Sequence, residues 1–335
     1  MIKLNVISPR GLNGLLCIAL LAFASLAGFF GQADLSTDQF FSGLLGRADT
    51  ATNIIVQELR LPRIVLAILC GGVLGYSGAL LQGLLRNPLA DPGVLGVSAS
   101  ASLGAVVTIY LGSTSAISFL VPFGAITGAL IATGLLVLVS MRETSVLTLI
   151  LAGVGISSLA AAGISLVMNF APHPMTLQEM ILWMMGSLEN RTYYDLYLAV
   201  PFIVVGALCV AGAGQGLNAL SLGEDTARTM GVDLKSLRFR IVVGTALAVG
   251  ATVAVAGAIG FVGLVVPHFA RALIGFEPRK LLLPSALMGA LVLLIADILT
   301  RLPIGGGQLR LGVVMGVIGA PVFLYIIFKT RWSMR

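Results

Sequence analysis

The chain has 335 residues, of which 58% are apolar and only 10% are charged. A soluble domain carries about 25% charged and about 45 to 50% apolar residues, so this composition excludes a water-soluble globule and a disordered chain. The net charge of +6 is spread singly over the ends of apolar runs, which indicates membrane anchoring and no nucleic-acid partner. We therefore predict an all-α membrane protein surrounded by lipid.

Uncharged runs of the length of a membrane span follow one another along the chain. A helix needs about 20 apolar residues to cross the hydrocarbon core. The first run, residues 12–30, is longer than the apolar part of a cleavable signal and predicts a retained span. The later runs are residues 64–85, 93–111, 116–141, 146–171, 196–223, 241–270, 281–296 and 311–328.

The run that starts at residue 241 decides the number of spans. If Arg271 is tolerated within it, this run extends to residue 274. It is then too long for one span and short for two. Both chain termini are basic, so both are predicted to face the cytoplasm and the number of spans should be even. Splitting this run at its glycine-rich middle, residues 257–263, gives ten spans in one transmembrane domain over residues 1–335.

Three segments between the runs are predicted to lie outside the hydrocarbon core. Residues 31–58 are acidic and predict a solvated outer loop, and residues 171–195 predict a short amphipathic helix at the outer interface. Residues 215–240 form the longest cytoplasmic loop. There Ser221 and Glu224 have capping-box spacing and Gly231 fits a helix stop, so we predict a helix-turn-helix on which a partner docks.

Few residues in the predicted spans can carry chemistry. Asp297 and Arg271 are predicted either to pair with each other or to reach an interface, because unpaired charge in a membrane is costly. His173 and His268 are isolated, and the three cysteines lie in apolar runs, so neither a metal site nor a disulfide is expected. The sequence also lacks a phosphate-binding GxxxxGK[ST] loop, so we expect no cofactor in this chain and no ATP site of its own.

Glycine and proline are concentrated at residues 87–93 and 257–267. Broken backbone at membrane depth is tolerated only against protein or beside a water-filled path. These two segments therefore indicate a translocation path, with simple helix kinks as the alternative.

A set of motifs in a fixed order resembles the permease subunits of type II ABC importers, the FecCD-type permeases that take up iron-siderophore complexes, haem and vitamin B12. The motifs are RLPR at 60–63, GLLRNPLADPGVLG at 83–96, LAG at 151–153, WMMGS at 183–187, LNALSLGE at 217–224, GAIGFVGLVVPH at 257–268, AD at 296–297 and GAP at 319–321.

The resemblance implies a ten-helix permease of the inner membrane with both termini in the cytoplasm. It also implies several partners: two cytoplasmic ATPase subunits that bind ATP and Mg, a periplasmic substrate-binding protein, and a second permease subunit that is either identical or a similar sister chain. The chain would then be a transport permease and not an enzyme. The expected cargo is a ferric siderophore, with vitamin B12, haem or an oxyanion as alternatives.

The same resemblance assigns roles to particular residues. Docking of the binding protein falls on Arg60, Arg63 and Arg301, unless these arginines only anchor the ends of spans. The cytoplasmic gate falls on Asn87, Leu89, Val146 and Leu147, with Thr144 and Ser145 as alternatives for the second pair. Residues 215–240 match the ATPase-coupling helices, and the coupling residues are Asn218, Leu220, Ser221, Leu222, Gly223, Glu224, Ala227 and Gly231.

Two other functions remain open from the sequence. An ion-coupled secondary transporter would work without an ATPase and would depend on Asp297. A non-transporting membrane scaffold would need neither an energy source nor a path.

Overall fold

The computed structural model describes residues 8–31, 33, 35–112, 120–142, 146–302 and 309–333. Over these residues the regular structure is entirely helical, which confirms the predicted all-α class. A π-helical stretch, Ile54–Arg60, leads into α4, and a 3-10 turn, Pro92–Leu95, precedes α5. The α-helices are α1 Pro9–Phe29, α2 Thr37–Leu44, α3 Thr50–Asn53, α4 Leu61–Leu84, α5 Val97–Tyr110, α6 Leu120–Arg142, α7 Val146–Asn169, α8 Pro174–Met184, α9 Tyr193–Cys209, α10 Ala213–Ser221, α11 Glu224–Thr229, α12 Leu234–Ala256, α13 Val262–Ile274, α14 Pro278–Thr300 and α15 Leu311–Ser333.

Among the described residues, six helices are long and apolar enough to cross a membrane. They are α1, the continuous helix that ends with α4, α6, α7, α12 and α14. A seventh span is formed if α9 and α10, which are bent by 49° at a short break, are taken together. Shorter apolar helices are α5, α13 and the first part of α15, Leu311–Tyr325.

The centre of the bundle is built from α4, α12 and α14. In these helices 67%, 78% and 61% of the apolar window is buried, against 17% in α7 and 28% in α1. The helices α4 and α14 run antiparallel, with Arg63 at the start of one beside Asp297 near the end of the other. Thus α1 and α7 lie at the periphery and present most of their apolar surface outward.

Glycines let α4 and α14 approach at backbone distance. A Cβ atom on Gly71 would lie 2.3 Å from the carbonyl oxygen of Gly289, and one on Gly75 would lie 2.1 Å from the carbonyl oxygen of Ser285. The spacing of Gly71 and Gly75 is the small-xxx-small pattern of closely packed membrane helices. Without side chains at these positions, the two central helices can make direct backbone contact.

We expect Gly75→Ala to destabilise the protein, because its Cβ atom would overlap backbone that cannot move aside. Overpacking of this kind costs about 1–3 kcal/mol or more. Gly72→Ala is the matched control, since its Cβ atom would make an ordinary 3.6 Å contact with the carbonyl oxygen of Ala286. Thermal unfolding of the purified variants in detergent checks this; equal melting temperatures would contradict the close packing of α4 on α14.

The predicted break in the long apolar run is confirmed. Helix α12 ends at Ala256, Gly257 has φ of 73°, and α13 begins at Val262. Phe261, the residue before α13, has φ of 68°, which an aromatic L-residue rarely adopts. Because a Cβ atom on Gly78 of α4 would lie 1.9 Å from the carbonyl oxygen of Gly263, α13 begins inside the bundle and not at its edge.

The prediction that residues 31–58 form a solvated loop is wrong. This segment contains α2 and α3, and α2 begins with a full capping box between Ser36 and Gln39. Phe40 of α2 is 5% exposed and packs on α1 so closely that a Cβ atom on Gly28 would lie 2.2 Å from its ring. The apolar side of α2 thus folds back onto the end of α1. In the segment 171–195, α8 provides the predicted short helix, and its position at a membrane interface stays a prediction.

Candidate functional site

The predicted helix-turn-helix at residues 215–240 consists of α10 and α11. Gly223, with φ of 117°, separates the two helices, and Gly231, with φ of 83°, ends α11 as predicted. The predicted capping box is wrong: α11 has no side-chain cap, and the Ser221 hydroxyl donates to the carbonyl oxygen of Asn218. Glu224 instead pairs with Arg238 of α12 at 2.5 Å, an ion pair between residues that are 14 positions apart.

Helix α10 is held to the start of α14 by polar contacts. The Asn218 amide donates to the Glu277 carboxylate at 3.2 Å, and the Arg279 backbone N–H donates to the Asn218 side-chain oxygen at 2.9 Å. A hydrogen bond from Lys280 lowers the pKa of Glu277, and the bond from Asn218 lowers it further. The carboxylate that holds α10 is therefore favoured in its ionised form.

The predicted coupling residues divide into anchors and surface groups. Leu220 and Ala227 are 1% and 0% exposed and fasten α10 and α11 to the bundle. Leu222, at the turn between the helices, is 65% exposed, and Ser221 beside it is also exposed. An apolar side chain that projects from an anchored turn is the part of this motif able to contact another protein.

The loop after α4 contains the first two predicted gate residues. The side-chain oxygen of Asn87 accepts from the Leu89 N–H at 2.9 Å, and the Asn87 carbonyl accepts from the Ala90 N–H at 3.1 Å. The Asn87 N–H in turn donates to the Gln82 carbonyl at 3.2 Å. Residues 87–90, the gate segment, thus form a tight turn that leaves Leu89 44% exposed.

The other predicted gate residues lie at the start of α7. Helix α7 begins at Val146, and Leu147 is 64% exposed. The alternatives Thr144 and Ser145 lie outside the described residues. Helix α7 packs on the 3-10 turn before α5, and a Cβ atom on Gly96 would lie 2.8 Å from the carbonyl oxygen of Gly153. This contact joins the two motifs around residues 83–96 and 151–153.

Gln82 is a site residue that the sequence analysis missed. It is 3% exposed, and its amide nitrogen lies 3.2 Å from the carbonyl oxygens of Ala90, Gly263 and Leu264. Its side-chain oxygen accepts from Arg271. The alternative in which Arg271 pairs with Asp297 is therefore wrong, because Arg271 reaches a neutral amide on α4 instead.

Asp297 lies in a cluster with two of the predicted docking arginines. The carboxylate is 0% exposed, contacts Arg63 at 2.9 Å and contacts Arg301 at 2.5 Å. Arg63 also donates to the Thr300 hydroxyl at 3.1 Å. Two guanidinium groups around one buried carboxylate leave a positive charge at this end of the bundle.

The arginines also fasten the end of α1. Arg301 donates to the carbonyls of Ala27 and Phe30, and Arg60 donates to those of Gly28 and Ala33. Cations are favourable at a helix C-terminus, where several carbonyls have no partner within the helix. The side chains of Arg63 and Arg301 are 19% and 3% exposed, and Arg60 is 6% exposed. Most of each guanidinium therefore faces the protein.

The motif at 183–187 contacts both the end of α12 and the start of α15. The Ser187 N–H donates to the Ala256 carbonyl at 2.9 Å, and the Leu311 N–H donates to the Gly186 carbonyl at 3.0 Å. Beside this junction is a cavity of about 550 Å³. Its lining includes Glu179, Trp183, Glu189, Asn190, Arg191 and Arg310.

An all-helical bundle with a broken central span, an anchored pair of short helices and a glycine-proline loop defines a polytopic transport permease. The chain belongs to the FecCD transport family, whose model matches residues 16–329. The vitamin B12 import system permease protein BtuC of Citrobacter koseri is 39% identical over 279 residues, or 83% of this chain and 84% of that protein. The Fe(3+)-citrate import system permease protein YfmE of Bacillus subtilis is 35% identical over 319 residues, or 95% of each.

A solved structure has the same fold. It is a metal-chelate type ABC transporter in an inward-facing conformation, with 30% identity and a TM-score of 0.84 over 96% of this chain and 99% of that chain. The resemblance inferred from the motifs is therefore confirmed, and the chain is an ABC importer permease.

Proposed function

We propose that this chain is the permease subunit of an ATP-driven importer that carries a ferric siderophore across the inner membrane. The observation that carries this proposal is the pair α10 and α11, which is anchored to α12 and α14 while Leu222 projects from its turn. A permease without a nucleotide loop needs such a surface to receive movement from a separate ATPase.

The proposed topology has ten spans with both termini in the cytoplasm. The six long helices, α9 of the bent pair α9–α10, and the three shorter apolar helices α5, α13 and the first part of α15 together supply ten segments, and α10 then lies beyond the cytoplasmic end of α9. The basic residues near both termini support the cytoplasmic orientation. In this topology α10, α11 and the gate segment face the cytoplasm, whereas α2, α8 and the arginine cluster face the periplasm.

The proposed partners are two ATPase subunits, a periplasmic binding protein and a second permease subunit, identical or similar. Binding of ATP and Mg by the ATPase pair would move α10, and the bundle would change between outward-open and inward-open states. Cargo would pass from the binding protein into a path near the 550 Å³ cavity and leave beside Asn87, Leu89, Val146 and Leu147. This chain itself performs no covalent chemistry.

Docking of the binding protein at Arg60, Arg63 and Arg301 stays a prediction. The net positive charge of their cluster supports it, since acidic residues of a partner would be attracted there. Their internal hydrogen bonds favour the alternative in which they anchor helix ends. The side chain of Arg63 is 19% exposed, against 3% for that of Arg301.

We propose a ferric siderophore as the cargo because the named cargo of YfmE is a ferric chelate and the solved relative is of metal-chelate type. Vitamin B12, the named cargo of BtuC, is the main alternative. The low charge of the predicted spans suits any bulky chelate, because a fixed charge in the path would retain it.

Reconstitution of the complete complex in proteoliposomes tests the proposal. Binding protein loaded with ferric siderophore should stimulate ATP hydrolysis and uptake, and loading with cobalamin should not. Collapse of the ion gradients should leave uptake unchanged, which separates this importer from an ion-coupled transporter. Uptake by the permease alone, or no stimulation of a correctly assembled complex, would contradict the proposal.

A further inference from the structure

The Gln82 side chain connects α4 with the gate segment that follows it and with α13, 181 residues farther along the chain. It lies in the last turn of α4, contacts the gate segment through Ala90, and contacts α13 through Gly263 and Arg271. At 3% exposure, it is almost completely enclosed. A buried amide on α4 with partners on two other segments fixes the relative positions of all three as long as all of its bonds are made.

The need for this amide follows from Pro267. In an α-helix the Gly263 carbonyl would accept a hydrogen bond from the N–H of residue 267. Residue 267 is a proline and has no N–H, so the Gly263 carbonyl has no donor within its own helix. The Gln82 amide supplies the missing donor at 3.2 Å. Because an amide has two N–H donors, Ala90 and Leu264 must share them with Gly263.

The gate segment can therefore leave without exposing an unsatisfied group on Gln82. If Ala90 moves away, the donors stay occupied by the α13 carbonyls and the side-chain oxygen stays with Arg271. The loss is close to one net hydrogen bond, about 1 kcal/mol. A contact of this size holds a segment in place and still permits it to move.

The same turn of α4 is in contact with the coupling helices. A Cβ atom on Gly83, the residue after Gln82, would lie 3.2 Å from the side chain of Leu217 in α10. Displacement of α10 would thus be transmitted directly to the backbone beside Gln82.

We propose that Gln82 is a positioning residue that latches the gate segment to the first turn of α13 and releases it when α10 moves. The proposal rests on the proposed function, since it assigns a cause of opening to the same gate.

Thiol accessibility of the assembled importer tests the latch. In a cysteine-free background, Leu89→Cys reports the gate segment, and Lys235→Cys, an exposed position at the start of α12, serves as a reference. We expect Gln82→Leu and Gln82→Glu to raise nucleotide-free labelling at position 89 by about fivefold, the effect of one lost hydrogen bond, with no change at position 235. Glutamate keeps an acceptor for Arg271 but cannot donate to Ala90 when ionised.

Thr252→Val is the matched control, because it too removes a buried polar group. The Thr252 hydroxyl is fully buried and donates to the Ala248 carbonyl in its own helix at 3.0 Å. It should leave labelling at position 89 unchanged. Unchanged labelling in the Gln82 variants of an assembled complex would overturn the latch, as would an equal increase in the Thr252 variant.

A second measurement does not need a Gln82 variant to fold. Ala90→Cys and Leu264→Cys place two thiols on the segments whose carbonyls share the Gln82 amide. A short reducible thiol cross-linker should stop uptake, and reduction should restore it. Continued uptake with complete cross-linking would overturn the latch, whereas absence of ATP-driven uptake in the uncross-linked protein would contradict the proposed function.

Discussion

Replacement of Asp297 by asparagine is expected to destabilise the protein by about 3–5 kcal/mol, the usual cost of removing one partner from a buried ion pair. The carboxylate is 0% exposed and neutralises charge on both Arg63 and Arg301. Without it, two guanidinium groups face each other in a poorly solvated site. The measurement is the melting temperature of the purified permease in detergent, together with its yield in the membrane.

Asp38→Asn is the control for this prediction. Asp38 is exposed in α2, so loss of its charge should leave the melting temperature unchanged. An ion-coupled transporter would give the opposite pattern: Asp297→Asn would fold normally and lose only gradient-driven uptake. A fully stable Asp297→Asn protein would therefore contradict a structural role for this carboxylate.

Replacement of Leu222 by glutamate is expected to have the largest effect on coupling. Its side chain is 65% exposed at the turn between α10 and α11, so the permease itself should fold normally. If the ATPase packs on this side chain, loss of such a contact costs about 2 kcal/mol or more, or an affinity about 30-fold lower. Co-purification of the ATPase and ATP-driven uptake should both fall.

Leu45→Glu is the matched control for Leu222→Glu, since Leu45 is 66% exposed and follows α2 at the opposite end of the bundle. It should leave ATPase binding intact. Equal loss of ATPase binding in both variants would mean that a surface charge, and not the turn after α10, determines assembly.

The main course of the chain is predictable from composition because the bilayer imposes the length of each span. The break before α13 is an example: an uncharged run too long for one helix has a glycine-rich middle, and α12 ends at Ala256, directly before the first glycine of that middle, Gly257. The start of α2 also has a local signal in the sequence, the capping-box spacing of Ser36 and Gln39.

The incorrect pairings have a common physical cause. Sequence spacing favoured Ser221 with Glu224, and scarcity of charge favoured Arg271 with Asp297, but an ionised group takes whichever partner the packing brings nearest. For Asp297 that partner includes Arg63, which is 234 residues away in the chain. Such a contact depends on how α4 crosses α14, and no local pattern reports it.

Gln82 was missed because it is neutral and lies in an uncharged run. The signal for it is indirect: Pro267 leaves the Gly263 carbonyl without its helical donor, so a facing helix must supply one. In membrane proteins, a polar side chain in an apolar run is worth comparing with each proline that leaves a carbonyl unsatisfied.

The hydrogen bonds from Arg301 to the end of α1 affect the order in which the helices assemble in the membrane. This helix leaves the ribosome long before Arg301, one of the two arginines that hold its final carbonyls, which lies 274 residues after Ala27. During translation α1 must therefore remain inserted as an independent helix among lipids, which the absence of charge after Arg10 permits. Its docking can be completed only after Arg301 has been synthesised, so a helix that enters the membrane early is among the last to reach its final place.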